Sequence, residues 1–226
     1  MLLDFAVHPE DVNNPEFQMI GLHGRDANKY AFFPFVRQMG FLHTQWILPS
    51  ATFHSKSSKD VRFWFDRETQ NSKEITQSRK QIGDLLDMSI MQGIRPENIF
   101  LIGFSQGAVM AVDTALRYQQ RLGGIVALSG YVAHPDLLQR ETSDANRQIP
   151  IFWGHGTRDQ IISVERGREN AEVLKDMGYH VEYHEYDTSH RISSPEVKDI
   201  RAFLHRHMYG MSIEEAEKHA GPKVIF

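Results

Sequence analysis

The chain has 226 residues, 41% of them hydrophobic and 24% charged, a composition that excludes a disordered chain and fits a folded one. The formal charge is −4, and the 25 Lys and Arg are scattered rather than clustered, which excludes the electrostatic footprint of nucleic-acid binding. With no Cys, disulfides, thiolate metal sites and a Cys nucleophile are all excluded.

In chain order, the start Met1-Leu2-Leu3-Asp4-Phe5 has no basic region and no sustained apolar stretch, so no signal peptide is expected. An edge strand is predicted near 2–7, a strand at 17–23, a helix at 29–39 and a strand at 45–48. Residues 51–70 read as a polar and aromatic loop carrying Phe53, Phe63, Trp64 and Phe65; loops of that length in compact domains are usually functional or disordered. A helix at 71–92 stops before Gly93 and Arg95-Pro96, a strand follows at 98–104, a helix at 106–119 and strands at 124–129 and 150–154. A helix at 164–177 ends at Gly178, the last strand covers 181–186, and the last main helix covers 195–207. Ser194 is the candidate N-cap of that helix, ahead of Pro195 at its first position.

Short apolar runs alternating with amphipathic stretches produce a doubly wound α/β fold, a mostly parallel central sheet flanked by helices on both faces. One domain over 1–226 is expected, with 210–226 as a C-terminal tail in which 213–219 is helical and Val224-Ile225-Phe226 closes the chain. No apolar run approaches the ~20 residues that a bilayer span needs. A cytoplasmic protein with no transmembrane segment is expected.

The strongest chemical signal is Gly103-Phe104-Ser105-Gln106-Gly107, which follows the apolar run Ile99-Phe100-Leu101-Ile102 and precedes the helical pattern Ala108-Val109-Met110-Ala111-Val112. Strand, sharp turn and helix are the context of a nucleophile elbow. Glycines two residues either side of Ser105 let the two backbones pass closely while the serine takes a strained conformation. A hydroxyl needs a base, and behind such an elbow the partners follow in the order Ser, Asp or Glu, then His, each after a strand. His190 follows the strand at 181–186, and Asp159 follows the strand at 150–154. Asp187, three residues before His190, is the rival acid. His23 and His155 each precede a glycine at a strand end and read as structural, and His205 and His207 read as an exposed helix end. A metal site would have to gather His180, His184, His190 and Asp187, whose spacing is not that of H-E-x-x-H. The oxyanion of a tetrahedral intermediate needs two donors. The Gln106 backbone amide, at the positive end of a helix, is one, and the Arg25 amide in Leu22-His23-Gly24-Arg25-Asp26 is assigned as the other.

These segments resemble the phospholipase/carboxylesterase family of α/β-hydrolases, which includes bacterial carboxylesterases, lysophospholipases and acyl-protein thioesterases. The resemblance spans about 18–207. It rests on Leu22-His23-Gly24, on 30–35 with Pro34, on Leu48-Pro49, on Trp64-Phe65-Asp66, on Gly103-Phe104-Ser105-Gln106-Gly107-Ala108, on Ala127-Leu128-Ser129-Gly130, on His155-Gly156 with Asp159, and on Ser189-His190. It implies Ser105, Asp159 and His190 as triad and the Arg25 and Gln106 amides as oxyanion hole, in accord with the reading from spacing.

Two departures bear on substrate. Arg25, Asp26 and Asn28 stand where the family usually has Leu-Gly and then Asp, and a guanidinium at the pocket mouth would favour anionic substrates. Ala51-Thr52-Phe53-His54-Ser55-Lys56 replaces a Pro-rich family stretch that shapes the acyl site. The activity expected is cofactor-free cleavage of carboxylic esters through an acyl-enzyme, on a small-molecule ester or thioester, with Phe53, Phe63, Trp64 and Phe65 as candidate substrate-binding residues. Lysophospholipase or acyl-protein thioesterase activity is the alternative within enzymes, and a non-catalytic hydrolase-fold binding protein is the alternative of another class. No nucleic-acid partner is expected, and a homodimer is compatible with the sequence.

Overall fold

The computed structural model describes residues 2–12, 14–56, 58–70 and 72–221. Asn71, the predicted start of the long helix, and the closing Val224-Ile225-Phe226 lie outside the described residues. Seven strands form one sheet: β1 (Phe5–His8), β2 (Phe17–Leu22), β3 (Thr44–Pro49), β6 (Ile99–Phe104), β7 (Gly124–Leu128), β8 (Ile151–Gly156) and β9 (Val181–Tyr186). Their order is β1-β3-β2-β6-β7-β8-β9. All neighbours are parallel except β1, which runs antiparallel to β3 from Phe5 opposite Pro49 to His8 opposite Trp46. The sheet, its flanking helices and the antiparallel edge agree with the predicted α/β-hydrolase architecture.

Each inner strand is apolar on both faces because helices cover both. Along β6, Ile99 and Leu101 join one cluster while Phe100 and Ile102 join the other, the period-two alternation of a pleated strand. The first cluster takes Ile82, Leu85 and Leu86 of α2 (Ser72–Met91), the buried face of α3 (Gln106–Ala115), and Ala171 and Leu174 of α5 (Val164–Asp176). The second takes Phe35, Val36 and Met39 of α1 (Phe33–Met39), and Ile200, Phe203 and Leu204 of α6 (Ser194–Tyr209). Burying one such side chain contributes roughly 1.5–3 kcal/mol.

Local chemistry moved several boundaries. The predicted 29–39 helix is two pieces, a 3-10 turn at Lys29–Phe32 capped by the Asn28 side chain, then α1 restarting around Pro34. The predicted 106–119 helix stops at Ala115. A helix α4 (Pro135–Glu141) was not anticipated; only Leu138 on it is buried, too little to show a periodic pattern. The 51–70 loop contains a short hairpin, β4 (Phe53–His54) with β5 (Arg62–Phe63), pairing Phe53 opposite Phe63. The N-cap of α6 is Ser193, not Ser194: its hydroxyl accepts from the Glu196 amide while the Glu196 carboxylate accepts from the Ser193 amide. His205 is buried rather than exposed, because α6 runs on to Tyr209 and packs the ring against Phe41. In the tail, α7 (Ile213–His219) buries Ala216, and the Arg201 guanidinium donates to the His219 carbonyl at 3.1 Å. Among the described residues no helix is long and apolar enough to cross a membrane.

Glu196 links this packing to pH. Burial, helped by the Asp199 charge and opposed by the Ser193 bond, raises its pKa from 4.5 to about 7. A raised acid is neutral in the fold while the unfolded chain already ionises, so stability is full below pH 4.5 and falls as pH rises to about 7. Glu196→Gln keeps an acceptor for the cap and removes the ionisation. It is expected to leave the urea midpoint at about pH 4 almost unchanged and to raise stability at pH 8 by on the order of 3 kcal/mol. Equal midpoints for both proteins at pH 8 would show that the ionised carboxylate is fully compensated.

Candidate active site

Ser105 stands between the central strand β6 and α3 with φ 55° and ψ −120°, a conformation that costs a non-glycine residue of order 1–3 kcal/mol. The neighbourhood holds it there. Its amide donates to the Leu128 carbonyl at 2.8 Å, and its carbonyl accepts from the Ala108 amide at 3.0 Å. The flanking glycines are required by backbone approach: a Cβ on Gly103 would lie 2.1 Å from the Gly107 oxygen, and one on Gly107 would lie 2.0 Å from the Leu22 oxygen. The pattern is therefore a steric demand of strand and helix crossing beneath the serine.

His190 and Asp159 arrive from the loops after β9 and β8. The His190 Nδ1 donates to Asp159 Oδ2 at 2.6 Å, and Asp159 Oδ1 accepts from the amides of Ile161 at 2.8 Å and Ile162 at 2.9 Å. Burial acts to raise the Asp159 pKa, but the His190 bond and the two amides outweigh it and hold the carboxyl below the ordinary range. The two loops meet because Gly156 carries no side chain: a Cβ there would lie 2.6 Å from the carbonyl oxygens of both Thr188 and Ser189. The amides of Thr157 and Arg158 bond to Tyr186 and Thr188 across the same seam. Asp187, the rival acid, points outward into an ion pair with Arg158 at 2.7 Å, its side chain 85% exposed.

The other histidines serve elsewhere. His23 accepts from the Ala51 amide through Nε2 at 3.0 Å, so its proton sits on Nδ1, 2.6 Å from the Gly24 oxygen. Burial, reinforced by the Arg62 charge and opposed by the Gly24 bond, lowers its pKa to about 4, so it is a neutral brace for the loop that carries Arg25. His155 is fully buried and bonds to the Ile162 carbonyl at 2.9 Å. His184 turns to Glu182 at 3.0 Å and stacks on Phe152. Among the described residues no three His, Asp or Glu side chains gather in a way that could hold a metal ion.

The Gln106 amide is the first of α3, one of the donors a helix cannot satisfy internally, and Arg25 lies on the loop after β2. The Gln106 side chain has a role that the spacing did not reveal. Its oxygen accepts from the Trp64 amide at 3.1 Å and its nitrogen donates to the Phe65 carbonyl at 2.8 Å, while the Trp64 indole donates to the His23 carbonyl at 2.8 Å. Trp64 and Phe65 are thereby fully buried in the core. They brace the nucleophile turn from behind and line neither cavity that flanks it. Phe53 and Phe63, half-buried and stacked at 5.8 Å, line neither of them either. Gln106, together with Ser78 bonding the Trp64 carbonyl, satisfies the buried backbone of Trp64 and Phe65, while Phe63 lies under the Arg25 guanidinium at 5.3 Å.

The family model for phospholipase/carboxylesterase matches residues 9–208. The chain belongs to that family. It is a hydrolase of the carboxylesterase and acyl-protein thioesterase group, with the fold of its solved relatives. It is 29% identical over 182 residues to carboxylesterase SOBER1 of Arabidopsis thaliana, covering 75% of this chain and 80% of that one. Acyl-protein thioesterase 1 of Saccharomyces cerevisiae is 29% identical over 178 residues, covering 73% and 78%. The crystal structure of SOBER1 superposes with a TM-score of 0.78 at 28% identity, covering 85% of this chain and 99% of that one. Esterase PE8, at 24% identity, shares the fold with a TM-score of 0.83 over 92% of this chain and 100% of its own.

Proposed function

We propose that this hydrolase cleaves carboxylic esters through an acyl-enzyme, with Ser105 as nucleophile, His190 as general base and then acid, and Asp159 as the residue that orients the imidazole. The observation that carries this reading is the 2.6 Å bond from His190 Nδ1 to Asp159 Oδ2, with His190 and the strained Ser105 lining two cavities that share Arg25. With the Nδ1 proton fixed on Asp159, Nε2 carries a lone pair that can take the Ser105 proton. The hydroxyl oxygen then adds to the ester carbon, and the oxyanion is met by the amides of Arg25 and Gln106. His190 returns its proton to the leaving oxygen, and water repeats the sequence to release the acid. No step draws on a metal or cofactor.

A fluorophosphonate probe tests this directly. Labelling should be stoichiometric and map to Ser105, whose proton the His190 imidazole takes. Labelling at another residue, or none in protein that retains its native fold, would remove the nucleophile assignment and favour a binding protein on a hydrolase fold.

A further inference from the structure

The cleft at Ser105 has two arms of opposite character. The wider, about 340 Å³, runs from His190 past Phe104, Phe32, Phe35 and Ile192 and is largely apolar, with Arg25 and Arg191 on its border. The narrower, about 100 Å³, contains Ser105 itself and is bordered by Arg25, Arg67 and Arg166 together with Tyr131. Among the described residues no acidic side chain lines it. That volume is far below the ~300–1,000 Å³ of a pocket for a drug-sized ligand, so only a short group fits.

Chemistry decides which part of an ester enters each arm. The proton that His190 returns goes to the leaving oxygen, so the alcohol must lie on the His190 side. The acyl carbon is bonded to Ser105, and the acyl group must extend into the other arm. The alcohol therefore meets mainly apolar surface, with Arg25 and Arg191 at its border, and the acyl group meets Arg67 and Arg166 together with the shared Arg25.

Those guanidiniums are positioned and under-used. Arg25 Nη1 is buried without a hydrogen-bond partner, although burying an N–H unpaired costs about 1–3 kcal/mol. Its other contacts are the Phe63 face at 5.3 Å and Asp26 at 3.5 Å. The guanidinium carbon of Arg166, an exposed residue, sits 3.9 Å from the centre of the Tyr131 ring, a cation–π contact. Arg67, an exposed residue, makes a long contact, 3.5 Å, to the Ile161 carbonyl. Three cations around one small space repel one another, and an anion between them removes that repulsion while filling the empty donors.

We propose that the narrow arm is a carboxylate subsite, and that the substrates are half-esters: short dicarboxylic acids esterified at one end with an apolar alcohol. This inference rests on the acyl-enzyme reading of Ser105. Ser105 oxygen bonds to the esterified carbon, the bond from that carbon to the alcohol oxygen breaks, and the alcohol leaves with the His190 proton. Water then adds to the acyl carbon, Ser105 recovers its proton, and the diacid departs.

The test compares three esters: an aryl hemisuccinate, the succinamate of the same phenol, and an acetate of a phenol bearing a carboxylate. The succinamate differs only in carrying an amide where the hemisuccinate is charged. The wild-type ratio of kcat/KM for hemisuccinate over succinamate should be roughly tenfold or more. In Arg67→Met and Arg166→Met it should fall toward one, and Arg166→Lys should retain part of it. Because each ratio is taken within one protein, loss of folded material cancels. A wild-type ratio near one, with Ser105 labelled by fluorophosphonate and neutral esters cleaved, overturns the subsite and leaves the mechanism standing. Preference for the carboxylate on the phenol instead overturns the assignment of the acyl arm. Absence of both labelling and turnover overturns the acyl-enzyme reading itself.

Discussion

Ser105→Ala is expected to lower kcat by roughly 10⁴ to 10⁶ while leaving the melting temperature within a few degrees of wild type. Alanine keeps the Cβ, so it inherits the strain at φ 55° and little more. The two backbone bonds that hold the turn, to Leu128 and from Ala108, involve no side-chain atom and persist. What disappears is the oxygen that forms the covalent intermediate. Residual activity above the uncatalysed rate, by about 10³ to 10⁴, would come from the amides of Arg25 and Gln106 and from substrate positioning. Steady-state turnover of a p-nitrophenyl ester, with circular dichroism as the control for folding, decides it. A loss below tenfold would mean that another nucleophile carries the reaction.

The readable parts of this chain are those where a local pattern has one structural solution. Ile99-Phe100-Leu101-Ile102 alternates between two apolar clusters, and only a strand covered on both faces hides four consecutive apolar side chains that way. The Gly103 to Gly107 spacing was legible for a similar reason, since any Cβ at either place collides with backbone.

The illegible parts depend on partners distant in sequence. Nothing local ends the third helix at Ala115. The backbone just after it is held from 28, 26 and 24 residues away by the Asn146 side chain, which donates to the Tyr118 and Gln120 carbonyls and accepts from the Leu122 amide. The packing of the aromatic loop depends on distant partners in the same way: Gln106 and Ser78 supply the buried hydrogen bonds that let Trp64 and Phe65 sit in the core. A glutamine beside the nucleophile together with a Trp-Phe pair was the available signal. Arg67 and Arg166 could not have been joined to Arg25 from the sequence, because Arg67 stands on the aromatic loop and Arg166 in the first turn of α5, and they meet only around Ser105.

Asp159→Asn is expected to cost about 10⁴ in kcat, and Asp187→Asn to cost less than a few-fold. The two oxygens of Asp159 face different donors: Oδ1 receives the amides of Ile161 and Ile162, and Oδ2 receives His190 Nδ1. In the asparagine variant the amide oxygen is claimed by the two backbone donors, which turns the NH₂ group toward the imidazole. Two N–H groups cannot share that 2.6 Å contact, so Nδ1 gives up its proton and becomes the acceptor. The remaining proton then sits on Nε2, where it blocks acceptance from Ser105. The fold keeps all three hydrogen bonds, one of them reversed, so stability should change far less than rate. Asp187 offers the contrast of a carboxylate three residues from His190 whose charge is spent on Arg158 at the surface. Parallel kinetics of the two variants at one pH, on one neutral ester, make the comparison, and a greater loss in Asp187→Asn would transfer the orienting role to that residue.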